Sequence, residues 1–287
     1  MALVVAVAQI APEKGELSRN LDRIAEVIEQ ASVEGADWVV FPETATTGYF
    51  LEGGVIELAL RAEQLAQELG SRLAGRLRRP IDATVGYYER FEGQLYNSAA
   101  YLELGAGAPR VLSSYRKFFL PTYGVFDEQR FVSAGHEVGV LETRFGRVAH
   151  LICEDVWHSI LSTLVALRGA QVLAVPSASP ARGFAGPRIE NHDRYERMVR
   201  ALCEEHGLFC VNAQLAGFEG GKGFIGGSMV VDPFGRVIAS APIVEEALLV
   251  AELDLDLIEI ARTQTPLLSD LKERLPAILR MLGRTSP

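Results

Sequence analysis

The sequence predicts an α/β fold with mixed strand pairing, and three observations carry that expectation. Short apolar runs rich in β-branched residues, bounded by Pro and Gly, recur along the chain at strand length. Longer stretches with apolar residues at helical spacing alternate with some of them, the pattern of helices covering a sheet. Elsewhere, strand-like runs follow one another with only turns between, which calls for antiparallel pairs as well. A layered sandwich follows, with loops gathered at the strand ends, where sites form in open α/β sheets.

Leu3 to Ala8 is apolar and bounded by Pro12 and Gly15, so it reads as a buried strand. Asn20 to Gln30 sets Leu21, Ile24, Ala25, Val27 and Ile28 at helical spacing and is closed by Gly35. Trp38 to Phe41 is a second strand, ended by Pro42, and Val55 to Leu77 reads as one long amphipathic helix. Ile81 to Tyr88, Ser98 to Leu104 and Val111 to Arg116 are three further strands. Lys117 to His136 is a long polar-aromatic loop, and such a loop inside a compact domain is more often functional than idle. Strands at Val138 to Thr143 and Arg147 to Ile152 lead into a helix from Val156 to about Arg168, which Asp155 is placed to cap. A strand at Gln171 to Val175, a loop from Pro176 to Pro187 and a helix from about Asn191 to His206 come next. Leu208 to Asn212, Ser228 to Val231, Val237 to Ser240 and Leu248 to Leu253 complete the strands. The tail beyond Asp254 is helical, with breaks near Pro266 and Pro276. Phe-Gly-Arg-Val occurs at both 145–148 and 234–237 and reads as shared hairpin-turn chemistry. No linker-like segment divides the chain, so residues 1–287 are expected to form one domain.

Composition narrows the function classes. Acids outnumber bases 37 to 28, for a formal charge of −9, whereas a nucleic-acid binder shows a basic stripe. Three cysteines without dense spacing fit a reducing compartment rather than a disulfide framework. The apolar run from Leu3 to Ile10 lacks a basic flank and is too short for a signal peptide, and no stretch approaches a membrane span. The expectation is a cytoplasmic enzyme that needs neither nucleic acid nor membrane.

Three separated residues carry the chemistry. Cys153 ends an apolar run at a strand–helix junction, where a helix N-terminus would lower its thiol pKa; its bland alternative is a small buried hydrophobe. Glu43 directly follows a buried strand, where desolvation suits a general base, or it is a surface acid opening a loop. Lys117 lies next to Phe118 and Phe119 at a strand end, either as a fixed ammonium for an oxyanion or as a snorkelling side chain. His150 and His158 flank the cysteine without being placed at the elbow. His136, His192 and His206 read as loop or helix-surface residues, Cys203 and Cys210 as buried thiols, and Glu252, Asp254 and Asp256 as a solvated strand edge.

An acid after a strand, a lysine mid-chain and a cysteine at an elbow, in that order, resemble the nitrilase superfamily of carbon–nitrogen hydrolases. The resemblance runs from Ala6-Val7-Ala8-Gln9 through Gly226-Gly227-Ser228 to Val231-Asp232. Ile152-Cys153-Glu154-Asp155-Val156-Trp157, Leu120-Pro121-Thr122-Tyr123-Gly124-Val125-Phe126-Asp127-Glu128 and Ser177-Ala178-Ser179-Pro180 are similar to the glutaminase domain of glutamine-dependent NAD synthetases. The resemblance implies a four-layer α-β-β-α sandwich and a Glu43–Lys117–Cys153 triad, with the Glu154 N–H as a second oxyanion donor. It further implies a pocket lined by Tyr49, Tyr123, Glu128, Trp157 and Ser179. Glu128 is open to two readings, a positioning carboxylate or a solvent-facing loop acid, and Arg182 and Arg188 are both candidates for binding a substrate carboxylate. Family members pair through helices near the nucleophile and through the tail, about 255–287, which implies a homodimer or larger. No phosphate-cradling glycine fingerprint occurs. No cofactor and no metal are expected.

The expected activity is hydrolysis of a small carboxamide through a cysteine thioester. The resemblance disfavours nitrile cleavage, because nitrile-cleaving relatives usually place Trp-Glu directly after the cysteine, whereas Glu154-Asp155 follows here. N-carbamoyl hydrolysis uses the same triad and stays open, as does an ammonia-donating subunit that works beside a synthetase.

Overall fold

The computed structural model describes residues 2–185 and 188–283, apart from the side chains at 52, 184, 185 and 188. Its strands begin with β1 (Ala2–Gln9), β2 (Trp38–Val40), β3 (Ile81–Phe91), β4 (Gln94–Leu104) and β5 (Arg110–Arg116). β6 (Val140–Thr143), β7 (Gly146–His150), β8 (Val172–Ser177) and the short pair β9 (Phe184–Ala185) and β10 (Arg188–Ile189) follow. β11 (Phe209–Gln214), the hairpin β12 (Phe218–Glu219) and β13 (Lys222–Gly223), β14 (Met229–Val231), β15 (Val237–Ser240) and β16 (Ala247–Asp254) come last. The helices are α1 (Leu17–Val33), the one-turn α2 (Val55–Leu58), α3 (Ala62–Leu73), α4 (Ser159–Leu167), α5 (Glu190–His206), α6 (Asp256–Gln264) and α7 (Leu267–Leu282).

Two six-stranded sheets result, ordered β16-β1-β2-β3-β4-β5 and β15-β14-β11-β8-β7-β6. Pairing is mixed, as expected. β1–β2–β3 and β7–β8–β11 are parallel, and the outer strands are antiparallel. Alternation along the strands assigns the faces. Val5, Val7, Trp38 and Val40 meet Val172, Ala174, Phe209 and Val211 between the sheets. Ala6, Ala8, Val39 and Phe41 point the other way, onto Ile24, Ile28, Leu65 and Leu69 of α1 and α3. On the far side Leu173, Val175 and Cys210 pack on Val165 of α4 and on Tyr195 and Val199 of α5. This is the α-β-β-α sandwich, and apolar burial on three interfaces is its main source of stability.

Several elements depart from the sequence expectation. The helix expected over Val55 to Leu77 is broken, because Ala59 is extended and Leu60 joins the sheet, its N–H donating to Tyr88 and its carbonyl accepting from Arg90. Sheet pairing outweighs helical periodicity there. The helix expected from Val156 begins only at Ser159, after a 3-10 turn over Cys153–Trp157. The tail breaks at Pro266, but α7 continues through Pro276. His206 is not a surface residue: it is 1% exposed and meets Thr163 of α4. Both Phe-Gly-Arg-Val copies are hairpin turns, with Gly146 and Gly235 at positive φ. No helix among the described residues is long and apolar enough to cross a membrane.

β2 and β5 run the same way in one sheet and β7 and β8 the same way in the other, so their carboxyl ends gather four loops. Gly86 on β3 makes room for the first of them: a Cβ there would stand 2.1 Å from the Pro42 carbonyl oxygen and 2.7 Å from Glu43 Cα. Backbone cannot yield as a flexible side chain does. Gly86→Ala is therefore expected to destabilise the fold by about 1–3 kcal/mol, the range for overpacking, read as a lower urea midpoint; an unchanged midpoint would contradict this packing.

Candidate active site

The three triad candidates and Ser179 each lie just beyond a strand end. Glu43 comes three residues after β2, with Thr44 in the left-handed region at φ 52°. Lys117 follows β5, its N–H donating to the Asn97 carbonyl at 2.9 Å. Cys153 lies just beyond β7 and Ser179 just beyond β8. Cys153 itself has φ 45°, a conformation costly for a residue with a Cβ and found most often where function requires it.

The structure brings Glu43 and Lys117 into direct contact. Lys117 Nζ donates to Glu43 Oε1 and to Glu128 Oε1, both at 2.6 Å, with all three side chains at most 5% exposed. Asn97 Nδ2 also donates to Glu43 Oε1, at 2.7 Å. Glu43 Oε2 and Glu128 Oε2 are buried with no hydrogen-bond partner among the described residues. Burial works against the Lys117 ammonium, but the carboxylates of Glu128 and Glu43 outweigh it and hold Lys117 well above the ordinary lysine range. Burial pushes Glu128 up to about 7, against the pull of Lys117. Glu128 is therefore no solvent-facing acid; its Oε1 also accepts from the Tyr49 hydroxyl.

The thiol is electrostatically coupled to this pair. Burial and the Glu43 carboxylate push Cys153 well above the ordinary thiol range, while Lys117 pulls it down. This overturns the expectation of a thiol depressed by a helix N-terminus, because only a 3-10 turn follows the cysteine and desolvation dominates. Nor does Asp155 cap α4, whose N-cap is His158; it closes the start of the 3-10 turn instead. Its Oδ2 accepts from Ile152 N–H at 2.9 Å and Tyr115 OH at 2.7 Å, and its Oδ1 from Phe119 N–H at 2.8 Å and Phe118 N–H at 3.2 Å. One buried carboxylate thus fastens the cysteine elbow to the backbone just after Lys117.

The remaining expected residues surround this core. Ser179 Oγ is 3.9 Å from Cys153 Sγ. Tyr123, half exposed, donates to Glu154 Oε2 at 2.8 Å. Trp157 packs edge-on against Tyr195, with ring centroids 5.7 Å apart, and joins the apolar cluster that contains Cys153. Arg182 lies over Phe126, 5.1 Å from its ring centroid, and its Nη2 is buried without a partner among the described residues; the Arg188 side chain lies outside them. A cavity of about 220 Å³ shares Tyr49 and Glu128 with the cluster, and Phe50, Tyr88, Phe131, Asp127, Arg130 and Lys222 are among its other lining residues. It does not reach Cys153, which keeps 7% of its surface exposed. His150 turns instead towards the layer between the sheets, 3.0 Å from Thr84 Oγ1, and burial lowers it to about 4. His158 stacks on Phe119.

Asn97 and Glu219 escaped the sequence reading. Asn97-Ser98 is a polar pair inside an apolar strand, a signal that was there to be read. Glu219 bears on the site only through folding, 170 residues from the Tyr49 it contacts.

Sandwich, elbow and buried acid–amine pair together define a class, and sequence comparison agrees. The chain belongs to the carbon–nitrogen hydrolase family, whose model matches residues 4–263. Among its relatives, the glutamine-dependent NAD(+) synthetase of Thermotoga maritima is 31% identical over 257 residues, covering 88% of this chain and 42% of the synthetase. The chain thus spans less than half the length of that relative. An (R)-stereoselective amidase of a Pseudomonas species is 31% identical over 269 residues, covering 93% of this chain and 90% of the amidase. The amidase of Nesterenkonia sp. AN1, solved as a mutant with acrylamide added to its active-site cysteine, superposes with a TM-score of 0.70 at 27% identity, covering 91% of this chain and 97% of that one.

The Glu128 shift makes stability depend on pH. Its folded-state pKa is raised from 4.5 to about 7, so the stability it contributes is full below 4.5 and is lost as pH rises through about 7. Glu128→Gln stays neutral throughout. In urea unfolding it is expected to gain on the wild type between about pH 5 and about pH 8, and a constant difference would contradict the shift.

Proposed function

We propose that this chain is an amidase that releases ammonia from a small carboxamide, with Glu43 as base, Lys117 as oxyanion donor and Cys153 as nucleophile. The observation that carries the reading is the divided use of the Glu43 carboxylate. Oε1 is held by Lys117 and Asn97, and Oε2 is buried with no partner among the described residues, which leaves a lone pair for a proton.

A thiol held above its ordinary pKa needs such a base. Glu43 takes the Cys153 proton as sulfur attacks the amide carbonyl, and the developing oxyanion is met by the Lys117 ammonium and the Glu154 N–H. Glu43 returns the proton to the departing nitrogen, ammonia leaves, and a thioester remains on Cys153. Water then loses a proton to Glu43 and attacks the thioester; the C–S bond breaks, the acid is released, and the proton returns to sulfur. The covalent intermediate divides one hard step into two easier ones. Ser179 beside the sulfur, and Tyr123 and Trp157 further out, are proposed to shape the pocket. Pairing of two copies through the face that carries exposed Ile160 and Leu164 of α4 and Leu279 of α7 is part of the same proposal.

A second reading, an ammonia-donating glutaminase-like unit, is favoured by one observation: the Nη2 of Arg182 beside Phe126, buried and without a partner among the described residues, which suits a substrate carboxylate. The likeness to glutamine-dependent NAD(+) synthetases supports it too.

Incubating the chain with amides, carbamoyl compounds and nitriles, while following ammonia and the intact mass, tests the reading. Ammonia without carbon dioxide is expected, together with an acyl adduct on the wild type. Cys153→Ala should abolish turnover, and loss of the Lys117 ammonium should lower kcat by roughly 10²–10³, the scale for one oxyanion donor. Carbon dioxide would point to carbamoyl cleavage, and silence until a synthetase is added to the ammonia-donating unit. Turnover unchanged in Cys153→Ala would refute the site.

A further inference from the structure

The hairpin β12–β13 reaches the site from a part of the chain that the reaction itself does not use. Glu219 on it is 4% exposed, and its carboxylate is spent on backbone. Oε2 accepts from the N–H groups of Tyr49 and Phe50, each at 2.9 Å, and Oε1 accepts from the Tyr49 N–H at 3.0 Å. Gly48 makes room for it. With φ at 80°, its missing Cβ would stand 2.7 Å from Glu219 Oε1, so a side chain there would meet both a strained backbone and the carboxylate. Lys222 on the same hairpin lies over the Phe50 ring, 4.0 Å from its centroid.

The hairpin also binds the opposite wall. Ala181 N–H donates to the Gly223 carbonyl at 2.8 Å, and Ile225 N–H to the Ser179 carbonyl at 3.0 Å. Tyr49, held at its N–H by Glu219 and at its carbonyl by the Tyr88 hydroxyl at 2.7 Å, delivers its own hydroxyl to Glu128. Glu128 in turn holds Lys117. A buried carboxylate is a costly way to satisfy two amides that water or a neutral acceptor would serve. What it adds is a rigid anchor on Tyr49.

We propose that Glu219 is a positioning residue for hydrolysis: by fixing the backbone of Tyr49 and Phe50, it sets the phenol that keeps Glu128 on Lys117. The proposal rests on the Glu43–Lys117–Cys153 reading. Displacing a catalytic group by an ångström costs on the order of 10²-fold in rate, so a distant anchor can be felt at the thiol.

A double-mutant cycle on the full chain tests it, with Glu219→Gln, Tyr49→Phe and the two combined, and Cys153→Ala as control. The measurements are kcat and KM for the best amide, the rate at which acrylamide adds to Cys153, and Tm. Each single variant is expected to lose roughly 10- to 100-fold in kcat with KM little changed. The double variant should be no slower than the slower single, because both act through one phenol. Glu219→Asp, which keeps the charge but reaches less far, should fall between wild type and Glu219→Gln, and it serves if the glutamine variant does not fold. Losses that multiply, wild-type kcat in Glu219→Gln, or a loss that only follows the unfolded fraction would each overturn the proposal. Turnover surviving in Cys153→Ala is a separate result: it would overturn the triad reading, and the positioning role with it.

Discussion

One buried ammonium holds this site together. Lys117 Nζ lies 2.6 Å from carboxylate oxygens of both Glu43 and Glu128, out of reach of water. Unpaired, any of these charges would be costly in such a place, and removing one member of a buried pair typically costs about 3–5 kcal/mol. Two carboxylates on one ammonium would still leave a net negative charge in a dry pocket. The protein relieves it by letting Glu128 titrate near 7, so that a proton is easily held within the cluster. The pair also fixes geometry. It ties the loop after β2 to the end of β5, and Asp155 ties the end of β5 to the cysteine elbow after β7.

The same dry environment decides the state of the sulfur. A thiol at a long helix N-terminus would be expected to ionise early, but here a short turn follows it, burial opposes ionisation and the carboxylate that weighs on it most is Glu43. Burial and Glu43 thus hold the Cys153 thiol above its ordinary range, and under the proposed mechanism it relies on a neighbouring base for activation. Among the described residues one carboxylate oxygen of Glu43 holds Lys117 and the other has no partner, while the thiol feels the charges of both groups.

Much of this was legible from residue patterns. Alternating apolar runs located the main strands within a few residues, and the order Glu43, Lys117, Cys153 located the candidate triad. What was not legible depended on contacts between distant segments. Val55 to Leu77 has helical periodicity, yet Leu60 is captured by β3, a partner that local spacing cannot reveal. Asp155 has the identity of a helix cap, but three backbone N–H groups and a tyrosine hydroxyl were waiting for it. His206 ends a polar helix and was read as exposed; α4 packs over it. Glu128 offered two readings because nothing in its own loop announces that Lys117 and Tyr49 converge on it. Residue type singled out the candidate groups, and only the fold revealed which of them are hydrogen-bonded to one another.

The most direct test of a base-dependent resting thiol is the ultraviolet absorbance of thiolate, taken as wild type minus Cys153→Ser across the pH range, which cancels Cys203 and Cys210. The account expects no thiolate signal from Cys153 at about pH 7 and its appearance only in alkali, above the ordinary thiol value of about 8.5. A Cys153 thiolate already formed below about pH 7 would contradict it, since the sulfur would then need no proton acceptor in Glu43.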